Sequence, residues 1–237
     1  MRLDKMLSHM GFGSRKDVKQ LIKSKKVRIN GDIANKPNMH IDVSNDEVSV
    51  HGELVKYREF IYLMLHKPQG VISATEDGYD QTVIDLLEME DALFEPFPVG
   101  RLDKDTEGLL LITNDGKLAH ALTSPRRAIE KTYVATIDGE VTEEHVQQFS
   151  EGVTLDDGYE TKPGHLRIIT SGATSEIELV ITEGKFHQVK RMFQAIGREV
   201  TYLKRVQMGE IQLDDRLQLG SYRELTEEEL AYCLALR

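Results

Sequence analysis

The sequence predicts an α+β protein in which a small basic module precedes a larger domain. A chain of 237 residues with 40% hydrophobic residues is long enough for one medium domain and one small one. Segments of helical and strand periodicity follow one another without regular β-α-β alternation, which favours α+β over a doubly wound parallel sheet. A cluster of basic residues sets the start of the chain apart from an acidic remainder.

The N-terminal module is predicted to contain two helices and a hairpin. Apolar residues at helical spacing end at a glycine stop: Leu3, Met6, Leu7, Met10 and Gly11. Ser14 and Asp17 form a capping-box pair before a second helix, and VRING at 27–31 predicts an Asn-Gly hairpin turn. We place the boundary near Tyr57, which gives domains of residues 1–57 and 58–237.

Charge is distributed unevenly along the chain. Residues 1–40 contain ten Lys and Arg against three Asp and Glu, a net charge of +7; because the whole chain carries −10, the other 197 residues carry −17. A basic module on an acidic body is typical of local nucleic-acid binding, although a solvated helix face would also account for it. One face of the second helix carries the cations Arg15, Lys16, Lys19 and Lys23.

The larger domain is predicted to mix strands with helices. The apolar segment FIYLMLHK, residues 60–67, predicts a strand that ends in a Lys-Pro-x-Gly turn. Further strands are predicted at 109–113, 131–137, 176–182 and 202–206. Helices are predicted at 82–87, 117–123, 142–150, 187–196 and 226–236.

Composition excludes several classes of protein. No apolar run approaches the ~20 residues that span a bilayer, and the start of the chain lacks the apolar segment of a secretory leader. A single cysteine, Cys233, excludes an internal disulfide and a cysteine-cluster zinc site. We therefore expect a cytoplasmic protein with no membrane partner, and a monomer, because no pattern indicates an oligomer interface.

The densest polar segment is GRLDKDTEGLLLITNDG, residues 100–116. Asp103 and Asp105 precede an apolar strand, so they are either turn residues or part of a site at a sheet edge. A hydrolase with these two paired acids is conceivable, but i, i+2 spacing places them on opposite faces of an extended chain. By pattern alone, Tyr133 is a buried strand residue and Lys190 a surface lysine on an amphipathic helix.

Two resemblances decide among these alternatives. RLDKMLSHMGFGSRKDVKQLIKSKKVRINGDI, residues 2–33, resembles the RNA-binding module shared with ribosomal small-subunit protein four, whose second helix faces RNA. The segment at 100–116 resembles the signature of the RsuA-type pseudouridine synthases. HKPQGVISATED, IEKTYVATIDGEV and EGKFHQVKRMF follow the same family in order and spacing. Together the resemblances cover essentially the whole chain.

The second resemblance implies a mainly antiparallel mixed sheet with flanking helices and assigns the functional residues. It makes Asp103 the catalytic carboxylate, Tyr133 the active-site aromatic, and Lys190 the basic partner of the aspartate, where related groups often have arginine. Leu203 becomes an active-site packing residue. The residues expected to contact RNA are Arg101, Lys67 and Arg191, with Arg15, Lys16, Lys19 and Lys23 of the module.

The implied reaction converts uridine to pseudouridine and accounts for these residue types. A carboxylate assists cleavage of the glycosidic bond, a nearby cation keeps it ionised by lowering its pKa, and an aromatic ring holds the unstacked base. The reaction needs no metal, redox change or external energy source, so we expect no cofactor and no metal site. 

The subgroup whose details agree best acts on small-subunit ribosomal RNA, so the predicted substrate is a uridine of 16S-type RNA, alone or in an assembling particle. Two alternatives remain open. One is a large-subunit ribosomal RNA synthase, and the other is a non-catalytic RNA-binding factor in ribosome biogenesis.

Replacing both Lys19 and Lys23 by glutamine tests the RNA-binding face. We expect weaker RNA binding and a slope of log affinity against log salt that is shallower by roughly 1.5, because each lost phosphate contact removes ~0.7–0.9. Affinities measured at four or more salt concentrations give this slope. An unchanged slope would remove this helix face from the RNA-binding surface.

Overall fold

The computed structural model describes residues 1–237 and divides them into two compact units. The first unit contains residues 1–61 and 88–96, and the second contains residues 62–87 and 97–237. A single boundary near Tyr57 therefore omits the return of 88–96 to the first unit. The ring of Phe94 in this return segment meets the ring of His9 edge-on, with centroids 5.2 Å apart. The sequence carries no periodic signal for this packing, since the segment is short and acidic.

The first unit combines short helices with a small antiparallel sheet. Its helices are α1 (Leu3–His9), α2 (Arg15–Lys23) and α3 (Met89–Ala92). Its strands are β1 (Val27–Ile29), β2 (Asp32–Ile33), β3 (Val48–Val50) and β4 (Glu53–Leu54), in the order β2-β1-β3-β4. Asn30 and Gly31, both with positive φ, turn the β1–β2 hairpin as predicted.

The second helix of this unit has the predicted cap and the predicted charged face. The Ser14 side chain accepts a hydrogen bond from the Asp17 amide, and the Asp17 carboxylate accepts one from the Ser14 amide. Val18 and Ile22 are buried in the core of the unit. The four cations of the opposite face are all exposed: Arg15, Lys16, Lys19 and Lys23.

The second unit is built on a nine-stranded sheet. Its strands are β5 (Tyr62–Lys67), β6 (Phe97–Pro98), β7 (Glu107–Thr113), β8 (Lys131–Asp138), β9 (His165–Thr170), β10 (Thr174–Ile181), β11 (Glu199–Met208), β12 (Ile211–Gln212) and β13 (Tyr222–Glu224). Its helices are α4 (Gly116–Thr123), α5 (Glu143–Glu151), α6 (Gln188–Ala195) and α7 (Glu227–Ala235). The central order is β13-β5-β7-β11-β8-β10-β9, with β6 paired to β7 and β12 to β11.

The structure confirms the α+β class with a mainly antiparallel mixed sheet, and it adds elements that periodicity missed. Strands β9 and β13 lie at the two edges of the sheet; β9 is largely exposed and β13 has only three, partly buried residues, so neither carries a strong apolar alternation. The helix predicted at 82–87 is wrong in type, because only the single 3₁₀ turn Ile84–Leu86 forms there. No helix is long and apolar enough to span a membrane.

One parallel strand pair positions the loop at 100–106. Strand β7 runs parallel to β11, with Gly108 opposite Arg205, whereas every other pair in the large sheet is antiparallel. Gly108 has φ +110°, and a Cβ added to it would lie 2.1 Å from the carbonyl oxygen of Arg205. Only glycine combines this backbone conformation with so close an approach. The contact holds the loop that precedes β7 beside β11.

Replacing Gly108 by alanine should separate these two strands. We expect the free energy of unfolding to fall by at least about 2 kcal/mol, since the added methyl group meets backbone atoms and the φ angle is unfavourable. Urea denaturation followed by circular dichroism measures the change. Gly116→Ala is the matched control: nothing lies within 4 Å of its added Cβ, and alanine favours the first turn of α4. Equal stabilities for the two variants would contradict this account of Gly108.

Candidate active site

A cavity of about 70 Å³ opens in the second unit beside the loop at 100–106. The loop contributes Arg101, Asp103 and Thr106 to its wall. Tyr133 of β8 and Leu203 of β11 line it from the sheet. The segment at the start of α6 contributes His187 and Val189, among others. Four separate parts of the sequence therefore meet at one cavity.

A buried ammonium group holds the loop at 100–106 by hydrogen bonds to its backbone. Lys67, at the end of β5, is fully buried, and its Nζ donates hydrogen bonds to the carbonyl oxygens of Pro68, Asp103 and Thr106 at 2.9, 3.0 and 2.9 Å. The prediction that Lys67 contacts RNA is therefore wrong, because all three of its N–H groups are spent on the backbone. Burial lowers the pKa of Lys67 to about 8, against the opposing effect of Asp103 and two further acids.

Asp103 lies between two potential cations at the start of α6. Its Oδ2 is 3.3 Å from Nζ of Lys190, and its Oδ1 is 3.5 Å from Nε2 of His187. The side chain of Asp103 is 28% exposed, so the carboxylate is partly screened from water and open to the cavity. The charge pairing of Asp103 with Lys190 that the family resemblance implied is present in the structure as a contact.

Lys190 also binds a second carboxylate, and more closely. Its Nζ donates to Oδ1 of Asp105 at 2.5 Å, and the Asp105 side chain is 70% exposed. Partial burial raises the pKa of Asp105, but the hydrogen bond and charge of Lys190 outweigh it and the net pKa is lowered. One ammonium group is thus shared by two acids. Asp103 lines the cavity and Asp105 does not, so the two are not a facing acid pair of the kind a paired-acid hydrolase needs.

The sheet supplies the apolar side of the cavity. Tyr133 is 8% exposed and Leu203 is 4% exposed, and both occur where β8 pairs with β11. Tyr133 lies opposite Arg205, and Leu203 lies opposite Ala135, a small residue. By pattern alone Tyr133 was predicted to be a buried strand residue. It is buried as predicted, but it also lies in the cavity wall.

Two cavity residues escaped the sequence-based site assignment. His187 has a left-handed backbone (φ 48°) directly before α6, which turns its ring towards Asp103, and the ring stacks on Phe186 at 3.8 Å. Thr106 is buried, and its hydroxyl has no hydrogen-bond partner. Because Thr106 is part of the cavity wall, this unpaired hydroxyl is a candidate contact for a bound ligand. No local pattern in the sequence marked either residue as part of a site.

The remaining predicted RNA contacts fall into two groups. Arg101 is exposed and lines the cavity, so it is open to a ligand. Arg191 is engaged within the protein instead: its guanidinium pairs with Asp156 and, at 2.7 Å, with Asp157. These carboxylates raise the pKa of Arg191 and occupy the planar donor face that an RNA phosphate would use. The expected RNA contact of Arg191 therefore conflicts with the structure.

Comparisons with known proteins agree over the whole chain. Residues 61–195 match the family described as RNA pseudouridylate synthase, and residues 1–48 match the S4 domain. The chain is 54% identical to an uncharacterized RNA pseudouridine synthase of Bacillus subtilis, over 97% of each protein. It is 40% identical to ribosomal small subunit pseudouridine synthase A of Vibrio cholerae, over 98% of each.

Two further similarities bear on substrate and fold. Ribosomal large subunit pseudouridine synthase B of Bacillus subtilis is 38% identical over 99% of this chain and 96% of its own length. A crystal structure described as a pseudouridylate synthase superposes with a TM-score of 0.69 at 35% identity, covering 98% of this chain and 99% of that one.

Replacing Lys67 by methionine should destabilise the protein in a pH-dependent way. The variant leaves three carbonyl groups without their donor, and an unsatisfied buried group costs about 1–3 kcal/mol. In the folded protein Lys67 loses its proton near pH 8, but in the unfolded chain only near 10.5. The unfolded state therefore binds more protons between these values, and the wild-type stability contributed by this group rises with pH.

The cost of Lys67→Met should thus grow across this window by up to about 3 kcal/mol. Urea unfolding of wild type and variant at pH 7.5, 8.5, 9.5 and 10.5, roughly spanning the two pKa values, measures the difference. Lys117→Met is the control, because Lys117 is exposed on α4. A cost that stays constant over the window would contradict the lowered pKa of Lys67.

Proposed function

The chain belongs to the RNA pseudouridine synthase family, and from this premise we propose that it isomerises a uridine of small-subunit ribosomal RNA. The 40% identity to the small-subunit enzyme of Vibrio cholerae, over nearly the full length of both proteins, supports this substrate. The matching S4 domain supplies an RNA-binding surface in the exposed cations of α2, and residues 1–40 as a whole carry a net charge of +7. Action on ribosomal RNA would also place the protein in the cytoplasm.

The observation that carries the residue assignment is the convergence of Asp103, Tyr133 and Leu203 on one cavity. Pseudouridylation breaks the bond between ribose carbon 1′ and base nitrogen 1, and forms a bond between carbon 1′ and base carbon 5. The proton on carbon 5 is released, and nitrogen 1 gains a proton, so atoms and electrons balance without a co-reactant. The site must hold a uracil ring while it is detached and stabilise charge at carbon 1′.

We assign the stabilisation of this charge to Asp103. Its carboxylate faces the cavity, and it can act as a nucleophile at carbon 1′ or abstract a proton to assist departure of the base. Lys190, whose Nζ lies 3.3 Å from the carboxylate, keeps it oriented. Asp105 balances the charge of Lys190, so the loop retains a negative group for a developing cation. Lys67 acts on the same group indirectly, as a positioning residue that holds the Asp103 carbonyl.

The detached base is assigned to the apolar wall. The buried ring of Tyr133 offers a face or a hydroxyl group to the uracil, and Leu203 completes the apolar wall beside it. Burial of both side chains matters, because a rigid wall permits the base to rotate without leaving. The unpaired hydroxyl of Thr106 is a further hydrogen-bond donor or acceptor for the polar edge of the base.

A uridine of large-subunit ribosomal RNA is the second candidate substrate. The 38% identity to the large-subunit enzyme of Bacillus subtilis, again over nearly both full lengths, favours it as a specific alternative. The catalytic residues do not discriminate between these substrates, since both serve the same reaction. The choice depends on RNA contacts away from the cavity.

Release of tritium from uridine carbon 5 tests the proposal. Small-subunit and large-subunit ribosomal RNA, each labelled at this carbon, are presented to the purified protein both as naked transcripts and as precursor particles. We expect release from a small-subunit substrate, at most one equivalent per RNA. Release from the large-subunit RNA alone would select the second candidate. No release from any substrate would contradict synthase activity and favour the alternative of a non-catalytic RNA-binding factor in ribosome biogenesis.

Asparagine substitutions separate the two acids that share Lys190. Asp103→Asn should lower the rate of tritium release by a factor on the order of 10³ or more, because it removes the carboxylate at nearly constant shape. Asp105→Asn should lower it by about tenfold or less, since Asp105 does not line the cavity. RNA affinity, measured by filter binding, should stay within about twofold for both. Equal losses of rate would show that Asp103 has no special role.

A further inference from the structure

A second, larger cavity of about 360 Å³ adjoins the first. The two cavities share wall residues from the loop, from β8 and from the segment before α6: Arg101, Tyr133, Gly184 and Lys185. Tyr133 therefore stands between them. A group bound in the second cavity would lie one side chain away from a base held in the first.

The second cavity is strongly cationic within an acidic part of the chain. Outside residues 1–40 the chain has 20 Lys and Arg and 37 Asp and Glu. The cavity wall includes five of these cations and one of these acids. The cations are Arg101, Lys131, Lys162, Lys185 and Arg205, and the acid is Glu183. A random sample of this part of the chain would be acidic, so the local excess of positive charge calls for a partner.

The one acid of the wall is already engaged by neutral donors. Oε2 of Glu183 accepts a hydrogen bond from the hydroxyl of Tyr159 at 2.8 Å. Its Oε1 accepts from the backbone amide of Lys162 at 2.9 Å and from the side chain of Gln188 at 2.7 Å. Glu183 is thus held in place by these donors and makes no ion pair with the cationic side chains around it.

Arg205 is a buried cation of this wall with one donor atom left unpaired. It is 4% exposed, and its Nε donates to the carbonyl oxygen of Leu109 at 2.9 Å. Its Nη2 is buried without any hydrogen-bond partner. A charged donor left unpaired in a protein interior is unfavourable unless a ligand accepts from it. The pKa of Lys131 is lowered by its burial and by the positive charges of Arg205 and Lys162. The lowered pKa reflects the concentration of positive charge in this wall.

We propose that the second cavity binds a phosphodiester group of the RNA backbone adjacent to the target uridine. A phosphate oxygen is an anionic acceptor, which suits an unpaired guanidinium N–H and flanking ammonium groups. The shared wall at Tyr133 and Arg101 makes the occupant continuous with the nucleoside whose base enters the first cavity. This inference rests on the proposed function for the identity of the substrate, but the anion site itself can be tested without RNA.

Lys162→Gln is the variant of choice. Lys162 is exposed, and only its backbone amide is used by Glu183, so the substitution removes one charge and leaves the fold in place. Lys117→Gln is the matched control, since Lys117 is exposed on α4 outside the cavity. Arg205 is left unchanged, because its bond to Leu109 contributes to the β7–β11 junction.

The first measurement follows the ¹⁵N-labelled Nε–H resonance of Arg205 while the full-length protein is titrated at constant ionic strength. The probes are inorganic phosphate and uridine monophosphate, carrying its phosphate at the 5′ or the 3′ position. We expect a saturable shift with each anion, at lower concentration for one of the nucleotides, and a several-fold weaker response in Lys162→Gln but not in Lys117→Gln. No shift overturns the site. Tighter binding of inorganic phosphate than of either nucleotide would identify a free phosphate as the occupant and overturn the RNA assignment.

The second measurement uses tritium release from the RNA substrate. Lys162→Gln should raise KM several-fold with kcat nearly unchanged, and should make the salt dependence of kcat/KM shallower by ~0.7, the slope of one phosphate contact on a single strand. Equal kinetics in Lys162→Gln and Lys117→Gln overturns the subsite. Absence of release from every RNA with a normal phosphate response counts against the proposed function instead, and leaves an anion site that does not serve this substrate.

Discussion

The ammonium group of Lys67 is the fixed point around which the loop at 100–106 is built. A lysine buried at the end of a strand is costly unless each of its donors is used, and here three backbone carbonyl groups accept hydrogen bonds from it. Two of these carbonyls belong to Asp103 and Thr106. The hydrogen bonds from Lys67 to them therefore determine where the Asp103 carboxylate lies. The cost of burial appears as the lowered pKa of Lys67.

The opposite side of the same loop is fixed by a steric constraint. Gly108 permits β7 to lie against the backbone of Arg205, and this contact joins the β5–β7 half of the sheet to the β11–β8 half. Asp103 and Thr106 come from the first half, while Tyr133 and Leu203 come from the second. The cavity exists because these halves meet at the one parallel junction of the sheet. The hydrogen bonds from Lys67 and the close contact of Gly108 with Arg205 therefore fix the position of the loop together.

Electrostatics then divides the molecule by function. The chain beyond residue 40 carries a net negative charge, which disfavours nonspecific adhesion to RNA, while positive charge is concentrated on the α2 face and in the second, larger cavity. At Asp103 the two signs of charge are nearly balanced, because the ammonium group of Lys190 contacts the carboxylates of both Asp103 and Asp105. Other cations form ion pairs within the protein. Arg191 pairs with Asp156 and Asp157, and these ion pairs brace α6, the helix that carries Lys190.

The sequence by itself determined the fold class, most of the central strands and helices, and the charged face of α2, because periodicity and capping are local properties that tertiary packing here reinforces. It also pointed to Asp103 once a long contiguous resemblance was considered. Only the tertiary structure decided that Lys67 is buried beneath the loop rather than exposed, that Lys190 binds Asp105 as well as Asp103, and that Arg205 lines a cationic cavity. Residues 67, 103, 190 and 205 are far apart in the chain, and their hydrogen bonds, burial and pKa values depend on neighbours that no local pattern contains.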